Sequence, residues 1–356
     1  MRFLDATGRS HLPDPGGGAE RSIDSLLQLL HRKGHTCEAV VGLHRGWRRK
    51  IVRRIHFFSA GRRLRLSDWH NGYQTHRTAP WLVARLTRQR LGFFQPDILI
   101  TQLERSDEIV AVALGHGVRV VLMVRDAQFD WWPWPALHPH IGLISNSEFI
   151  ASRVRDQMGI ESTVIYPVIR WESYKVSSRV PEFITFVNPV PEKGVELALE
   201  IAALVPNRRF LFVESWPVGE KARRRLRDGL KQLPNVTFAG WTHDMRTVYS
   251  RTALLIVPSQ WEEAFGRVAL EAQVSGIPVV ARDIGGLGEV LRDSGILLPE
   301  NAAADAWVQT IERLLSDQSF YAACSTAASI NASRPEFNPL HQVDRFLAIA
   351  TECISK

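Results

Sequence analysis

The chain has 356 residues, 45% apolar and 23% charged, with 24 Gly and 19 Pro; that is the length of two domains, each able to bury its own core without metal or disulfide staples. Lys plus Arg (44) exceed Asp plus Glu (37), a formal charge of +7 that points to an anionic partner without naming it. Three distant cysteines, Cys37, Cys324 and Cys353, argue against a zinc ribbon or disulfide framework and read as reduced thiols, and neither a secretory leader nor a membrane-spanning apolar run is expected.

Short apolar runs alternate with helical patterns along the chain. Ile23, Leu26, Leu27 and Leu30 predict a helix over 19–33 that Gly34 stops, followed by a strand over 37–41. Strands are expected over 98–101, 118–124 and 141–145, with helices over 107–114 and 148–158 and a short extended piece over 163–167. Residues 168–180 have no clear periodicity and mark the crossing into a second domain. The alternation then restarts, with strands over 183–187, 210–213, 236–238, 253–257 and 278–280. Helices are expected over 195–205, 221–230, 265–275 and 303–315, and a last helical pattern over 338–350. Strands alternating with helices of this length build parallel βαβ sheets. Two such series with one break predict two doubly wound Rossmann-like α/β domains, 1–170 and 171–356, the last helix being free to pack back on the first domain. Ligands of such sheets lie beyond the carboxyl ends of the strands, so the chemistry belongs in the strand-to-helix loops.

The richest of these loops lies in PSQWEEAFGRVALEAQVSGIPVV, residues 258–280. A buried strand ends at Pro258 and a helix opens near Phe265. The N–H groups of a first helical turn, here Phe265, Gly266 and Arg267, suit a phosphate, and Gly266 admits a ligand close to the backbone. Glu263 and Glu271 flank that turn. A carboxylate accepts two hydrogen bonds side by side, which suits a vicinal diol; acids in the first turns of an ordinary helix are the competing reading. In FVNPVPEKGVELAL, residues 186–199, Lys193 follows a strand and is either a partner for a leaving diphosphate or a solvated loop lysine. PDPGGGAERS, residues 13–22, places Gly16, Gly17 and Gly18 before a helix, with Glu20 as a dipole-complementing acid. Ser147 reads as a helix N-cap. Within VRDAQFDWWPWPALHPH, residues 124–140, Asp126 is a sugar-hydroxyl acceptor, a base or a turn carboxylate, and Trp131, Trp132 and Trp134 are a stacking platform or packed core.

The segment 258–280 resembles the glutamate-pair motif of glycosyltransferase family 4, and Asp283-Ile284-Gly285-Gly286, Lys193-Gly194 and the glycines at 16–18 are similar to that family's pattern in the same order. The resemblance runs from Gly16 to about Pro299. It implies a GT-B fold, two doubly wound Rossmann-like domains facing each other across a cleft. It implies a retaining transferase that moves a sugar from a UDP-, GDP- or ADP-sugar to an acceptor hydroxyl, in glycan, polysaccharide or glycolipid biosynthesis. Catalytic roles then fall to Glu263 beside the sugar, Lys193 at the diphosphate and Asp126. Donor contacts fall to Glu271 at the ribose, Phe265, Gly266, Arg267, Asn188, Gly17 and Gly18, and the acceptor side to Arg125, Trp131 and Trp132. Neither metal nor cofactor is expected, the nucleotide sugar being a substrate and the acceptor a glycan or lipid-linked. Where the family carries an arginine shortly before the lysine, this chain has Asn188-Pro189-Val190, which leaves the diphosphate one cation short; Arg267 or Arg125 is the expected replacement. A sugar-nucleotide epimerase, a phosphorylase and a non-catalytic sugar-nucleotide sensor are the rival readings.

The charge is uneven. Residues 1–178 hold 25 basic and 16 acidic residues, residues 179–356 hold 19 and 21, so the excess lies on the expected acceptor side. Residues 39–67 carry nine basic residues and no acid, with Trp47, Ile51, Ile55, Phe57 and Phe58 interleaved. That stretch is a solvated surface segment or a patch for anionic lipid or a phosphate-bearing acceptor. No nucleic-acid module accompanies the charge, so no nucleic-acid partner is expected, and the expected location is the cytoplasm, peripheral on the inner membrane face if the patch docks.

Overall fold

The computed structural model describes residues 1–14, 16–43, 65–70, 72–127, 140–216 and 219–355. They fall into two units, Met1–Val168 with Leu340–Lys356, and Ile169–Pro339. The first runs β1 (Arg2–Thr7), α1 (Gly18–Arg32), β2 (Thr36–Gly42), β3 (Arg65–His70), β4 (Tyr73–Thr78), α2 (Val83–Phe94), β5 (Ile98–Gln102), α3 (Ser106–Leu114), β6 (Arg119–Val124), β7 (Ile141–Ser145), α4 (Glu148–Met158) and β8 (Thr163–Val164). Its strands pair in the order β3-β4-β2-β1-β5-β6-β7-β8. Every pair is parallel except β3 with β4. A connection through Gly72 (φ 91°) is too short to cross over the sheet, so those two strands form an antiparallel hairpin at the edge, a departure from an all-parallel sheet.

The second unit runs β9 (Phe183–Val187), α5 (Val195–Leu204), β10 (Phe210–Val213), α6 (Glu220–Leu230), β11 (Val236–Ala239), α7 (Arg246–Tyr249), β12 (Thr252–Val257), α8 (Arg267–Gln273), β13 (Val279–Arg282), α9 (Leu287–Leu291), β14 (Ile296–Leu298), α10 (Ala304–Ser316) and α11 (Gln318–Ala332). Its sheet is wholly parallel, in the order β11-β10-β9-β12-β13-β14. Ile184, Phe186, Leu254, Ile256 and Val280 of the strands bury against Ile201 of α5 and against Trp307, Ile311 and Leu314, which recur at helical spacing on α10. Helix α8 opens later than the 265 expected, because Gly266 sits at φ 83°, a left-handed backbone that cannot belong to the helix itself.

The chain ends in α12 (Pro339–Ser355), which returns to the first unit. Val343, Phe346, Ala350 and Cys353 join a core with Phe3, Ile23, Leu27 and Ile100. Cys353 packs so closely over β7 that a Cβ at Gly142 would lie 2.5 Å from its sulfur. In each sheet the direction of winding reverses once, between β1 and β5 and between β9 and β12. Those reversals are where doubly wound folds leave a crevice for ligands.

Asp5 stands out in the first core. It is wholly buried on β1, neither carboxylate oxygen has a hydrogen-bond partner among the described residues, and burial pushes its carboxyl up from 3.8 to about 8 against the opposing pull of Arg125. Between these values the folded chain holds a proton that the unfolded chain has shed, so this group withdraws stability as pH rises from 4 to 8. Asp5→Asn removes that titration. Urea unfolding at pH 5 and pH 8 will show a smaller fall in stability for the variant than for the wild type; an equal fall would mean Asp5 is ionised in the folded chain.

Candidate active site

The strands flanking the reversal in the second unit, β9 and β12, each end in a loop that carries a charged side chain. β9 leads through Asn188 into a 3-10 turn, Pro191–Lys193. β12 leads through Pro258 and Ser259 to Glu263. The loops meet backbone to backbone: the Gln260 N–H donates to the Glu192 carbonyl at 2.9 Å. Gly194, at φ 83°, sits where a Cβ would lie 2.0 Å from the Pro258 carbonyl oxygen. That approach brings Lys193 Nζ to 2.6 Å from Glu263 Oε1, with both side chains nearly buried. Ser259 Oγ donates to the same oxygen at 2.5 Å. Glu263 Oε2 has no protein hydrogen bond among the described residues.

Two glycines seat the glutamate from below. Gly286 N–H donates to the Glu263 carbonyl at 2.6 Å, and a Cβ at Gly285 would lie 2.4 Å from that carbonyl oxygen. The ammonium of Lys193 also faces two aromatic rings, Trp216 at 5.5 Å and Trp261 at 4.6 Å, which favours a cation at that point. Asn188 explains why Trp216 is there. Its backbone is left-handed (φ 64°), and its Oδ1 accepts from Ser215 N–H at 2.8 Å and Trp216 N–H at 3.1 Å. The Asn188 side-chain oxygen thus ties the β10 loop to the β9 loop instead of facing a ligand, and it supplies no charge.

Beyond Glu263 the loop turns through Phe265, buried against Phe337, and Gly266, where a Cβ would lie 2.4 Å from Leu287 Cδ2. Arg267 opens α8, but its guanidinium turns inward. Nε donates to Glu271 Oε1 at 2.6 Å and Nη2 to the Tyr174 hydroxyl at 3.1 Å, while the Tyr249 hydroxyl donates to Glu271 Oε2 at 3.3 Å. Burial works against the Arg267 charge, and Tyr174 and Glu271 outweigh it, holding the group above its usual range. The expectation that Arg267 supplies the missing diphosphate cation is therefore corrected: its charge is buried and paired with Glu271. Arg125 is engaged within the first unit, with Nε on Gln102 Oε1 at 3.0 Å and Nη1 on Ser22 Oγ at 3.3 Å.

At the reversal of the first unit, the loop after β1 carries the glycines. Gly8 N–H donates to Glu104 carbonyl at 2.9 Å and Gly42 N–H to Arg9 carbonyl at 2.8 Å, so the loop is strung across the ends of β5 and β2. Gly17 caps α1 in extended conformation and Gly18 begins it. Glu20 is buried, with Arg9 at 4.0 Å. A buried polar cluster supports the loop: His11 on the Tyr73 hydroxyl, Tyr73 on Asp24, Gln28 on Asp24, and Arg77 on Asp14 and the carbonyls of His11 and Leu12. Asp126 is half-buried just after β6. Trp131 and Trp132 lie outside the described residues, as do residues 44–64 of the basic stretch. Tyr174, Trp216 and Tyr249 are members of the site that no sequence motif picks out, and Ser259 and Trp261 lie within the 258–280 segment without being singled out there. The one available signal is position, since all but Tyr174 and Tyr249 stand directly after a strand.

The comparisons with known proteins agree in kind. Residues 16–171 match the model of "Glycosyltransferase Family 4" and residues 181–317 that of "Glycosyl transferases group 1". A D-inositol 3-phosphate glycosyltransferase of Mycolicibacterium smegmatis is 34% identical over 184 residues, 49% of this chain and 41% of that protein. The chain spans less than half the length of the first curated relatives it matches. A lipopolysaccharide core biosynthesis glycosyltransferase, LpsE of Rhizobium meliloti, is 24% identical over 85% of this chain and 87% of its own. Among solved structures, Anabaena HepE in complex with UDP-glucose has a TM-score of 0.76 at 16% identity, covering 99% of this chain and all of that one. Sucrose-phosphate synthase of Thermosynechococcus elongatus has a TM-score of 0.78 at 16% identity, over 99% of each chain.

The close approach at Gly194 makes the site sensitive to a single methyl group. Gly194→Ala places a side chain at positive φ, worth about 1–2 kcal/mol by itself, and drives it into the Pro258 carbonyl. Thermal unfolding will show the destabilisation, and ligand binding at Lys193 will fall with it. An alanine variant as stable as the wild type would show that the two loops are not held in contact.

Proposed function

We propose that this chain, which belongs to the GT-B glycosyltransferases through two family domains covering most of its length, transfers a glycosyl unit from a nucleoside-diphosphate sugar to an acceptor hydroxyl. The observation that carries the reading is the Lys193–Glu263 pair at 2.6 Å, standing at the reversal of the second sheet. Lys193 meets the diphosphate oxygens as the bond from sugar C1 to the leaving group lengthens, and a cation held in a partly desolvated site acts more strongly on that charge than one in water. Glu263 Oε2 accepts from hydroxyls of the transferred sugar and faces the positive charge developing at C1. Glu271 takes the ribose diol, and the backbone at Phe265–Arg267, where α8 opens, takes the diphosphate.

The acceptor oxygen forms its bond to C1 on the face from which the diphosphate departs, and a diphosphate oxygen takes the acceptor proton. Retention and independence of metal are supported by the family resemblance. A nucleotide-sugar donor is supported by HepE, solved with UDP-glucose, and a glycan or lipid-linked acceptor by the likeness to LpsE. Asp126 is the acceptor-side carboxylate in this scheme. An anionic acceptor or membrane surface is supported by the outer face of α2 and the turn before it, where Arg85 and Arg88 are exposed, Phe93 is 81% exposed, Trp81 in the preceding turn is 53% exposed, and no acid interrupts the helix. No described helix is long and apolar enough to cross a membrane.

Thermal-shift measurements with UDP-, GDP- and ADP-sugars will identify the donor. With it, Lys193→Ala will lower kcat by about 10²–10³-fold, Glu263→Ala will abolish transfer, and EDTA will leave the wild-type rate unchanged. Turnover retained in Glu263→Ala would overturn the site assignment, and donor consumption without any transferred product would move the chain to an epimerase or phosphorylase reaction. Flotation with vesicles of anionic lipid at low salt tests the α2 face; failure to float would remove the membrane from the scheme.

A further inference from the structure

We propose that Arg267 and Tyr249 are positioning residues that lock the Glu271 carboxylate into a two-pronged acceptor for the nucleotide's ribose, so that discrimination between ribo- and deoxyribonucleotides is set by residues that never touch the sugar. The proposal rests on the reading of Glu271 as the ribose-binding residue and goes beyond it in naming what orients that residue.

The geometry is specific. Each carboxylate oxygen has two acceptor positions. One on Oε1 is taken by Arg267 Nε at 2.6 Å, and one on Oε2 by the Tyr249 hydroxyl at 3.3 Å; these are the protein partners of Glu271 among the described residues. A carboxylate gripped at both oxygens cannot rotate about its last bond, and one acceptor position on each oxygen stays unfilled. That arrangement matches a vicinal diol, whose two hydroxyls donate side by side. A free glutamate would have to lose rotamer freedom on binding, and here the protein has already fixed it.

Charge supplies the second argument. Glu271 is buried and stands on the helix whose opening receives the diphosphate, where an unpaired carboxylate would repel the ligand and bear its own desolvation cost. The Arg267 guanidinium, itself buried, cancels that charge through one oxygen, Oε1. Arg267 is in turn oriented by the Tyr174 hydroxyl at 3.1 Å. Ser275, just past α8, fixes the Tyr174 segment by donating to the Tyr174 carbonyl and accepting from Val176 N–H, both at 2.9 Å. The carboxylate, the guanidinium and the two tyrosines form one buried unit, and a lysine at 267 would keep the charge while losing the planar fork that faces both Glu271 and Tyr174.

The test measures binding of UDP, GDP and ADP and of their 2′-deoxy counterparts by titration calorimetry, using the base that binds most tightly. The wild type will prefer the ribonucleotide by about tenfold or more, the scale of a hydrogen bond to a charged acceptor. Arg267→Met and Tyr249→Phe will each bring the two ligands to within about threefold, whereas Arg267→Lys will recover part of the preference. A general loss of structure would weaken both ligands equally and leave their ratio unchanged. Tyr249→Phe, which removes one oxygen, keeps the question answerable if Arg267→Met does not fold. A ratio unaltered in both variants overturns the proposal. A wild type indifferent to the 2′-hydroxyl overturns the assignment of Glu271 to the ribose and the proposal with it, while a wild type that binds none of the three nucleotides overturns the donor site as a whole.

Discussion

The second unit depends on one close approach, the contact of the turn after β9 with the loop after β12. Gly194 lies where any side chain would enter the Pro258 carbonyl, and only a glycine takes φ 83° there without strain. From that contact follow the Glu192–Gln260 backbone bond, the meeting of Lys193 with Glu263, and the position of Ser259 over the same carboxylate oxygen. Gly285 and Gly286 repeat the device from the β13 side, packing their backbone against Glu263 and Ala264. Three strand ends thus converge on one glutamate through backbone contacts, and a carboxylate seated in this way reorganises little when charge develops beside it.

The distribution of cations around this point is economical. Asn188 stands where the family's arginine is usual, and its oxygen holds the β10 loop through two N–H groups. Its contribution reaches Lys193 indirectly, through the ring of Trp216. Arg267 is buried in a pair with Glu271. Lys193 faces two tryptophans, which confine an ammonium whose long stem would otherwise roam. Two cations in two separate pairs, Lys193 with Glu263 and Arg267 with Glu271, keep neighbouring acids from raising the negative potential where the diphosphate is proposed to sit.

Much of this was legible in the sequence, and the limits have physical causes. The βαβ alternation identified most of the helices and strands, because buried parallel strands are short apolar runs and their helices carry an apolar stripe. β1 escaped because Asp5 interrupts its apolar run, and that acid is wholly buried. The β3–β4 hairpin escaped although Asn71-Gly72 is a turn signal, because the flanking strands carry charged and polar residues such as Asp68, His76 and Arg77. Glu263 and Lys193 were visible as loop residues after strands and Glu271 as a residue of the expected helix, and the structure brings Glu263 and Lys193 together. The pairing of Arg267 was also within reach, since 267 and 271 are one helical turn apart and an arginine there faces the glutamate as readily as a ligand. Tyr174 and Tyr249 were beyond reach: one lies in an aperiodic segment and the other in a four-residue helix, and only the fold places them beside α8.

Both units set buried charges in pairs, Arg77 with Asp14 and Asp68 in the first and Lys193 with Glu263 and Arg267 with Glu271 in the second. In the first, the loop after β1 rests on a network of hydrogen bonds among His11, Tyr73, Asp24 and Gln28, with Arg77 gripping the loop's carbonyls at His11 and Leu12. Asp5 of β1, wholly buried, has no hydrogen-bond partner among the described residues, and burial raises its carboxyl to about 8. A network of that kind fixes the course of a glycine-rich loop. In the proposed reaction the second unit holds a diphosphate, and its charged groups are set by backbone contacts that do not change. In the same proposal Gly17 and Gly18 meet the donor, and the polar core under residues 11–14 and 16–18 gives their loop its shape.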